Sequence, residues 1–429
     1  MQVTTLTAEK TLVIKASLTW RGGKEPPEEG ALICLRGGRV AALAPPRAGK
    51  STPAPASPCP LGGTSCPHPC RAQPSVLELP GCTVLPGLVD CHVHLGLGNG
   101  EGLPQILAAY PARGILAVRD GGDAAGLGLA AARRVAGGDL EGPLVVACGR
   151  ALFKKGGYGS FLGRGLEPAE LEEAVGALVR EGARQIKVLV SGLVSFKEYG
   201  RVGPPQFGPE ELRRIVTCAR RHGLKVMAHA SGEEAVRLAV EAGVDSVEHG
   251  YFLTRELLWR MAEKGVAWVP TVIPVAAQLK EGLREKHGPR ERGVIARTVS
   301  RQLEMIALAR EAGVKLGVGT DAGAAGVAHG RSFLEEILLY REAGLSPADV
   351  LTAATAGGAE VLGLEHFLGR LAPGRPAYLL AVEGNPWEDL EALGRVKYVI
   401  RPVIKESYPG FEGVEGKHQA TVWFNEISR

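Results

Sequence analysis

Between residues 86 and 363, short runs rich in Val, Ile and Leu alternate with amphipathic stretches of helical period, and no other feature constrains the fold as much. Eight apolar runs stand at residues 85–95, 114–120, 144–148, 185–190, 226–230, 246–249, 267–271 and 316–321. Helical patterns fall between them at 168–181, 209–222, 232–242, 254–264 and 294–312. Such repetition implies βα units on a parallel sheet, and eight units over roughly 280 residues suit an α/β protein of the (β/α)8, or TIM, barrel type. In that architecture the active site gathers at the C-terminal ends of the strands.

The strand ends carry the chemistry. The first run places His92 and His94 two residues apart, so both point to one face of a strand. Four later runs end near Lys187, His229, His249 and Asp321. A lone histidine pair is more often a satisfied core pair than a metal site. Repeated on five strands, however, such residues would each be a buried polar group without a partner, and together they point to a bound cation. Taken alone, Lys187 reads equally well as half of an ion pair or as an amine reaching the barrel mouth.

The flanks read differently. Residues 11–20, 31–36 and 39–43 form strand patterns, with Gly37-Gly38 a hairpin signal between the last two. Residues 45–74 turn to Pro, Gly, Ser, Ala and Cys, a composition that cannot offset its ordering entropy by burial, so an exposed insertion is expected. Cys59, Cys66, His68 and Cys70 within it match no zinc-module spacing and read as loop residues. Strand patterns return at 377–382 and 396–400. The simplest closure is a small β-sandwich built from residues 1–85 and 371–429, flanking a barrel at 86–370. The tail, 402–429, is left unassigned.

Composition excludes several partner classes. The net charge of +4 comes from interspersed signs, and aromatics are 5% of the chain, so a nucleic-acid partner is not expected. No apolar run approaches roughly eighteen residues and no leader pattern opens the chain, so a cytoplasmic enzyme without a membrane partner is expected. The eight cysteines then read as free thiols. A small-molecule substrate and assembly as a homo-oligomer complete this expectation.

As an ordered set, His92-Val93-His94, Lys187, His229, His249 and Thr320-Asp321 resemble the ligand set of the amidohydrolase superfamily. The likeness runs over residues 84–386. It includes Val118-Arg119-Asp120-Gly121-Gly122, Glu248-His249-Gly250 and Leu351-Thr352-Ala353-Ala354-Thr355, and is closest to the branch of metal-dependent prolidases and imidazolonepropionase. The resemblance implies two divalent metal ions. Zinc is the default, and manganese and iron are also suited to His and carboxylate ligands. It implies His92, His94 and Asp321 at the first ion and His229 and His249 at the second. Lys187, carboxylated by carbon dioxide to a carbamate, would bridge the two. A hydroxide shared by the ions would attack a carbonyl, with Asp321 moving the proton.

One-metal members of the branch lack the lysine, so Lys187 favours the two-metal, prolidase-like side. The expected reaction is hydrolysis of an amide or peptide-like C–N bond in a small carboxylate-bearing substrate, such as a dipeptide or an N-acyl amino acid. A mononuclear deaminase or cyclic-amide hydrolase is the alternative, with Lys187 merely structural. A non-catalytic scaffold is opposed by retention of all six ligand positions. Gly156-Gly157-Tyr158-Gly159 sets a phenol where relatives often carry an imidazole, and Tyr158, Tyr251 and His329 are the residues expected to read the substrate.

Overall fold

The computed structural model describes residues 2–7, 11–44, 74–97, 100–403 and 419–424. The insertion with Cys59, Cys66, His68 and Cys70 lies outside the described residues. Strands β1 (Gln2–Thr7), β2 (Thr11–Thr19), β3 (Glu28–Glu29), β4 (Leu32–Arg36), β5 (Arg39–Ala44) and β6 (Ser75–Pro86) come first. The barrel strands follow: β7 (Leu88–Val93), β8 (Ile115–Asp120), β9 (Leu144–Ala147), β10 (Gln185–Leu189), β11 (Lys225–Ala230), β12 (Ser246–His249) and β13 (Ala267–Val269). β14 (Leu379–Glu383), β15 (Val396–Val403) and β16 (Gln419–Phe424) close the described chain.

The protein is a (β/α)8 barrel carrying a sheet built from both chain ends. Strands β7-β8-β9 and β10-β11-β12-β13 pair in parallel in chain order. Beyond β9, the Leu152 amide donates to the Lys187 carbonyl at 2.8 Å, which ties the first group to the second. The eighth run lies between β13 and β7: Trp268 N–H donates to Lys315 O at 2.8 Å, and Cys91 N–H to Val318 O at 2.8 Å. It is not a regular strand. Its backbone is pressed so close to both neighbours that a Cβ on Gly319 would stand 2.4 Å from Val269 Cγ1 and 3.0 Å from His92 Cβ. Every residue of β7, β8 and β10 is buried, as parallel strands covered on both faces require.

The five helices expected from the sequence run over Leu171–Glu181, Pro209–Arg221, Glu233–Ala242, Arg255–Lys264 and Pro289–Ala312. The last begins five residues before its apolar pattern. Pro289 is preset for a first helical turn, and the Glu291 carboxylate accepts the Gly288 amide at 3.0 Å.

The outer sheet has nine strands, in the order β1-β16-β15-β14-β6-β2-β4-β5 with β3 on β2. Gly37 and Gly38, at φ 56° and 73°, make the tight β4–β5 turn. β14 joins the two bodies by alternation. Leu379 and Ala381 pack with Ile14, Val40 and Val84, while Leu380 and Val382 pack into the barrel core. Strands β1, β3 and β16 are not expected from the sequence; β16 pairs with both β1 and β15.

Candidate metal centre

The strand ends bring their polar residues into one cluster. The His92 ring lies 5.3 Å from His94 and 5.1 Å from His249, and His249 lies 4.4 Å from His229. Asp321 Oδ1 is 3.5 Å from His92 Nε2 and 3.3 Å from His94 Nε2. Lys187 Nζ is 3.2 Å from His92 Nε2. One ligand atom each from His92, His94 and Asp321 falls within 4.8 Å of the others, so this donor set fits a metal ion.

Hydrogen bonds fix which ring nitrogen each histidine offers. His94 Nδ1 lies 2.8 Å from the Gly122 carbonyl, which can only accept, so Nδ1 carries the hydrogen and Nε2 keeps its lone pair. The Thr271 hydroxyl donates to Pro270 O and therefore accepts from His249 Nδ1 at 2.7 Å, which frees His249 Nε2. His92 Nδ1 stands 3.0 Å from Glu248 Oε2, a charge contact outside hydrogen-bond geometry that favours the hydrogen on the same nitrogen. His229 is the exception: its Nε2 sits 3.3 Å from Gly192 O, leaving Nδ1 as the free nitrogen. Oriented, neutral imidazoles of this kind are the form that ligates metals.

Electrostatics favour that form. Burial, then Lys187, pulls His92 down to about 4, and the same two effects pull His229 to about 3. Burial and the neighbouring His229 hold His249 well below its ordinary value. His94 is the exception to the neutral form: burial would lower it, but the hydrogen bond and charge of Asp321 together with the Gly122 carbonyl outweigh burial and raise the ring. Burial would raise Asp321, yet the His92, His94 and His249 imidazoles hold its carboxyl far below the usual carboxylate range. Lys187, 1% exposed, is lowered chiefly by burial, against the pull of Glu248 and Asp321, which favours the neutral amine.

The backbone is strained at this place. His249, Thr271 and Asp321, at φ 69°, 50° and 56°, are the non-glycine residues of the described chain in the left-handed region. Each closes a barrel strand at the cluster, and such a conformation costs of order 1–3 kcal/mol and persists only where surroundings impose it. Here the Asp321 amide donates to His92 O at 2.6 Å, and His249 O accepts from Trp268 Nε1 and Gln302 Nε2, each at 3.0 Å.

A cavity of about 300 Å³ opens over the cluster, with His92, His94, Lys187, His229, His249 and Asp321 in its wall. Tyr158 and Tyr251 also line it. The Tyr251 ring stacks on His249 at 5.7 Å, and its hydroxyl donates to Thr271 O at 3.4 Å. His329 stands off the cavity wall. Its Nδ1 is 2.7 Å from the buried Tyr110 hydroxyl and its Nε2 3.3 Å from Leu97 O, so both ring nitrogens are engaged in joining loops. Sequence reasoning gave no role to Arg119, Glu248, Thr271 or Glu336, all of which contact the cluster or its strand ends. The available signal was a charged residue inside each of two apolar runs, Arg119 in one and Glu248 in the other.

The amidohydrolase family pattern matches residues 83–415. The chain is 30% identical over 376 residues to ochratoxinase of Aspergillus niger, covering 77% of this chain and 75% of that protein. It is 28% identical over 404 residues to imidazolonepropionase of Rubrobacter xylanophilus, covering 83% and 85%. A crystal structure of a Xaa-Pro dipeptidase with methionine bound in its active site matches at a TM-score of 0.76 and 27% identity, over 91% of this chain and 98% of that one. Among the described residues, no helix is long and apolar enough to cross a membrane. The chain belongs to the amidohydrolase family, in its prolidase- and imidazolonepropionase-like branch, and is a hydrolase of carbon–nitrogen bonds.

Proposed function

We propose a metal-dependent hydrolase of amide or peptide-like bonds in small substrates, with dipeptides and N-acyl amino acids among the classes to test. One observation carries the reading: four imidazoles, Lys187 and Asp321, from five strand ends, share the wall of one cavity. His92, His94 and Asp321 would hold one divalent cation, and His229 and His249 a second. Zinc is the first choice for such ligands, with manganese and iron also suited. Bound there, the ions would polarise the substrate carbonyl and bring the pKa of water from 15.7 to about 7.

The chain's own groups do the rest. A buried Lys187 in its neutral form can add its lone pair to carbon dioxide, forming a C–N bond as one C=O π bond opens and releasing one proton to water, and the resulting carbamate anion would be a ligand for both ions. Asp321, held ionised, accepts the proton from the attacking water and delivers it to the leaving nitrogen. Tyr158 and Tyr251 orient the substrate as hydrogen-bonding groups that add no fixed charge.

Elemental analysis of purified protein, paired with hydrolysis of dipeptides, N-acyl amino acids and lactams, tests this reading. About two ions per chain and metal-dependent amide cleavage are expected. A single ion together with deaminase or lactamase activity would support the mononuclear alternative instead. Full metal occupancy without cleavage of any of these amides would overturn the amide-hydrolase reading.

A further inference from the structure

The cavity changes character away from the cluster. Three separate loops deliver its outer wall: Phe161 and Leu162 after β9, Leu193 and Phe196 after β10, and Pro274 and Val275 after β13. Phe161 is 42% exposed and Leu193 56%, two of the few large apolar side chains of the described chain left open to water. Both stand over the same cavity, and apolar surface gathered at a cavity mouth marks a ligand-binding face.

The charged groups that line the cavity are those of the cluster itself, His94, Lys187 and Asp321 among them. Two cations on the neighbouring loops are paired with carboxylates away from the wall. Lys154 pairs with Glu211 at 3.1 Å and Arg201 with Glu198 at 3.0 Å, while exposed Lys197 is not part of the wall among the described residues. A carboxylate placed at this water-open mouth, against Phe161, Leu193 and Phe196, would meet no cation of the outer wall and would stay solvated rather than be bound. At about 300 Å³ the cavity is also at the small end of the ~300–1,000 Å³ common for such sites, which limits the occupant to one compact group beside the amide.

We propose that this outer wall selects amides bearing a compact uncharged aromatic or branched apolar group, and that a substrate carboxylate contributes little to recognition. The proposal rests on the amide-hydrolase reading and names the substrate class for it. It departs from the carboxylate-bearing substrate that the family resemblance implies, because the walls supply apolar surface where a carboxylate needs a cation. Tyr158, with its ring 5.5 Å from Phe161 and 5.7 Å from His229, joins the apolar mouth to the metal cluster.

Four matched probes test it on the metal-loaded enzyme: N-acetylglycine, N-benzoylglycine, N-acetyl-2-phenylglycine and N-benzylacetamide. Adding a ring to N-acetylglycine, on whichever side of the amide faces the wall, should raise kcat/KM about tenfold or more, the value of burying one ring. Removing the carboxylate, from N-acetyl-2-phenylglycine to N-benzylacetamide, should change kcat/KM by less than about threefold, as for a solvent-exposed charge. No gain from either ring, or a loss of about tenfold or more on removing the carboxylate, overturns the proposal. Should no probe be cleaved, calorimetric binding of the same probes decides independently of the hydrolase reading. Ring-bearing amides should bind more tightly than N-acetylglycine, and Leu193→Ser and Phe161→Ser, both at open positions that tolerate polarity, should each weaken that binding. Equal binding of all four, or no effect of either substitution, sinks the substrate class and leaves the metal reading to its own test.

Discussion

His92 Nδ1 and Glu248 Oε2 stand 3.0 Å apart with both side chains fully enclosed, so an imidazole of the candidate metal centre is backed by a buried carboxylate. Burial would raise Glu248, but the Arg119 guanidinium and then His92 outweigh it and bring the carboxyl down to about 2. Arg119 itself spans the barrel. Its Nη2 donates to Glu248 Oε1 at 2.7 Å, its Nη1 to Ser246 Oγ at 2.8 Å, and its Nε to Cys91 O at 2.6 Å. One arginine thus keeps Glu248 ionised, and the charge of Glu248 favours the hydrogen of His92 on Nδ1.

Glu248→Gln should therefore weaken metal binding by roughly 10- to 100-fold, the usual cost of losing a carboxylate behind a ligating histidine. Competition against a chelating dye measures this without reference to turnover. Arg119→Met should cost about 3–5 kcal/mol in chemical denaturation, since it strands a buried carboxylate. Adding Glu248→Leu to it should recover stability but not metal affinity. Unchanged affinity in Glu248→Gln would show that His92 needs no anionic partner.

Lys187→Ala should bind fewer ions than the native chain and lose most activity, because it removes the group proposed to hold both. A short carboxylic acid, small enough for the space left by the side chain, should restore part of both. Metal content read by elemental analysis with and without added propionate decides the matter, and full occupancy and rate in the variant alone would falsify the carbamate.

Asp321→Asn should lower turnover by at least about 10²- to 10⁴-fold, the ordinary contribution of a general acid–base group. Metal content should largely persist, since His92 and His94 still face the same point. The left-handed backbone at Asp321 suits Asn as well as Asp, so the fold should be kept. Near-normal turnover with full metal content is the outcome that excludes a proton-transfer role.

Glu336 gives a pH signature away from the ligands. Its carboxylate accepts the Val272 and Ile273 amides at 2.9 and 2.7 Å, yet burial raises its pKa to about 8. The folded chain therefore binds more protons here than the unfolded chain, whose Glu titrates near about 4.3. By linkage this contribution to stability is intact below about pH 4 and is lost as pH rises toward about 8. Glu336→Gln should flatten the fall in Tm between about pH 5 and pH 8. A native-like pH slope in the variant would assign the effect to other buried carboxyls, such as Asp90, raised to about 7 by burial.

The sequence by itself determined the barrel and its polar strand ends, because both are written in local period. Alternating apolar runs and helical stripes need no distant partner to be read, and His92-Val93-His94 exposes its face by strand geometry alone. The tertiary structure decided the rest, where partners are far apart in the chain. Arg119 and Glu248 are 129 residues apart and meet only when the barrel closes. β16, in the tail left unassigned from the sequence, is placed as a strand by pairing with β1 and β15. His329, placed by sequence in the last loop before a helix, is drawn off the cavity by Tyr110, 219 residues earlier. The apolar mouth, too, exists only because loops after β9, β10 and β13 converge on one opening. Ligand types are local and can be read from residues, but what each ligand leans on is set by the closure of the sheet.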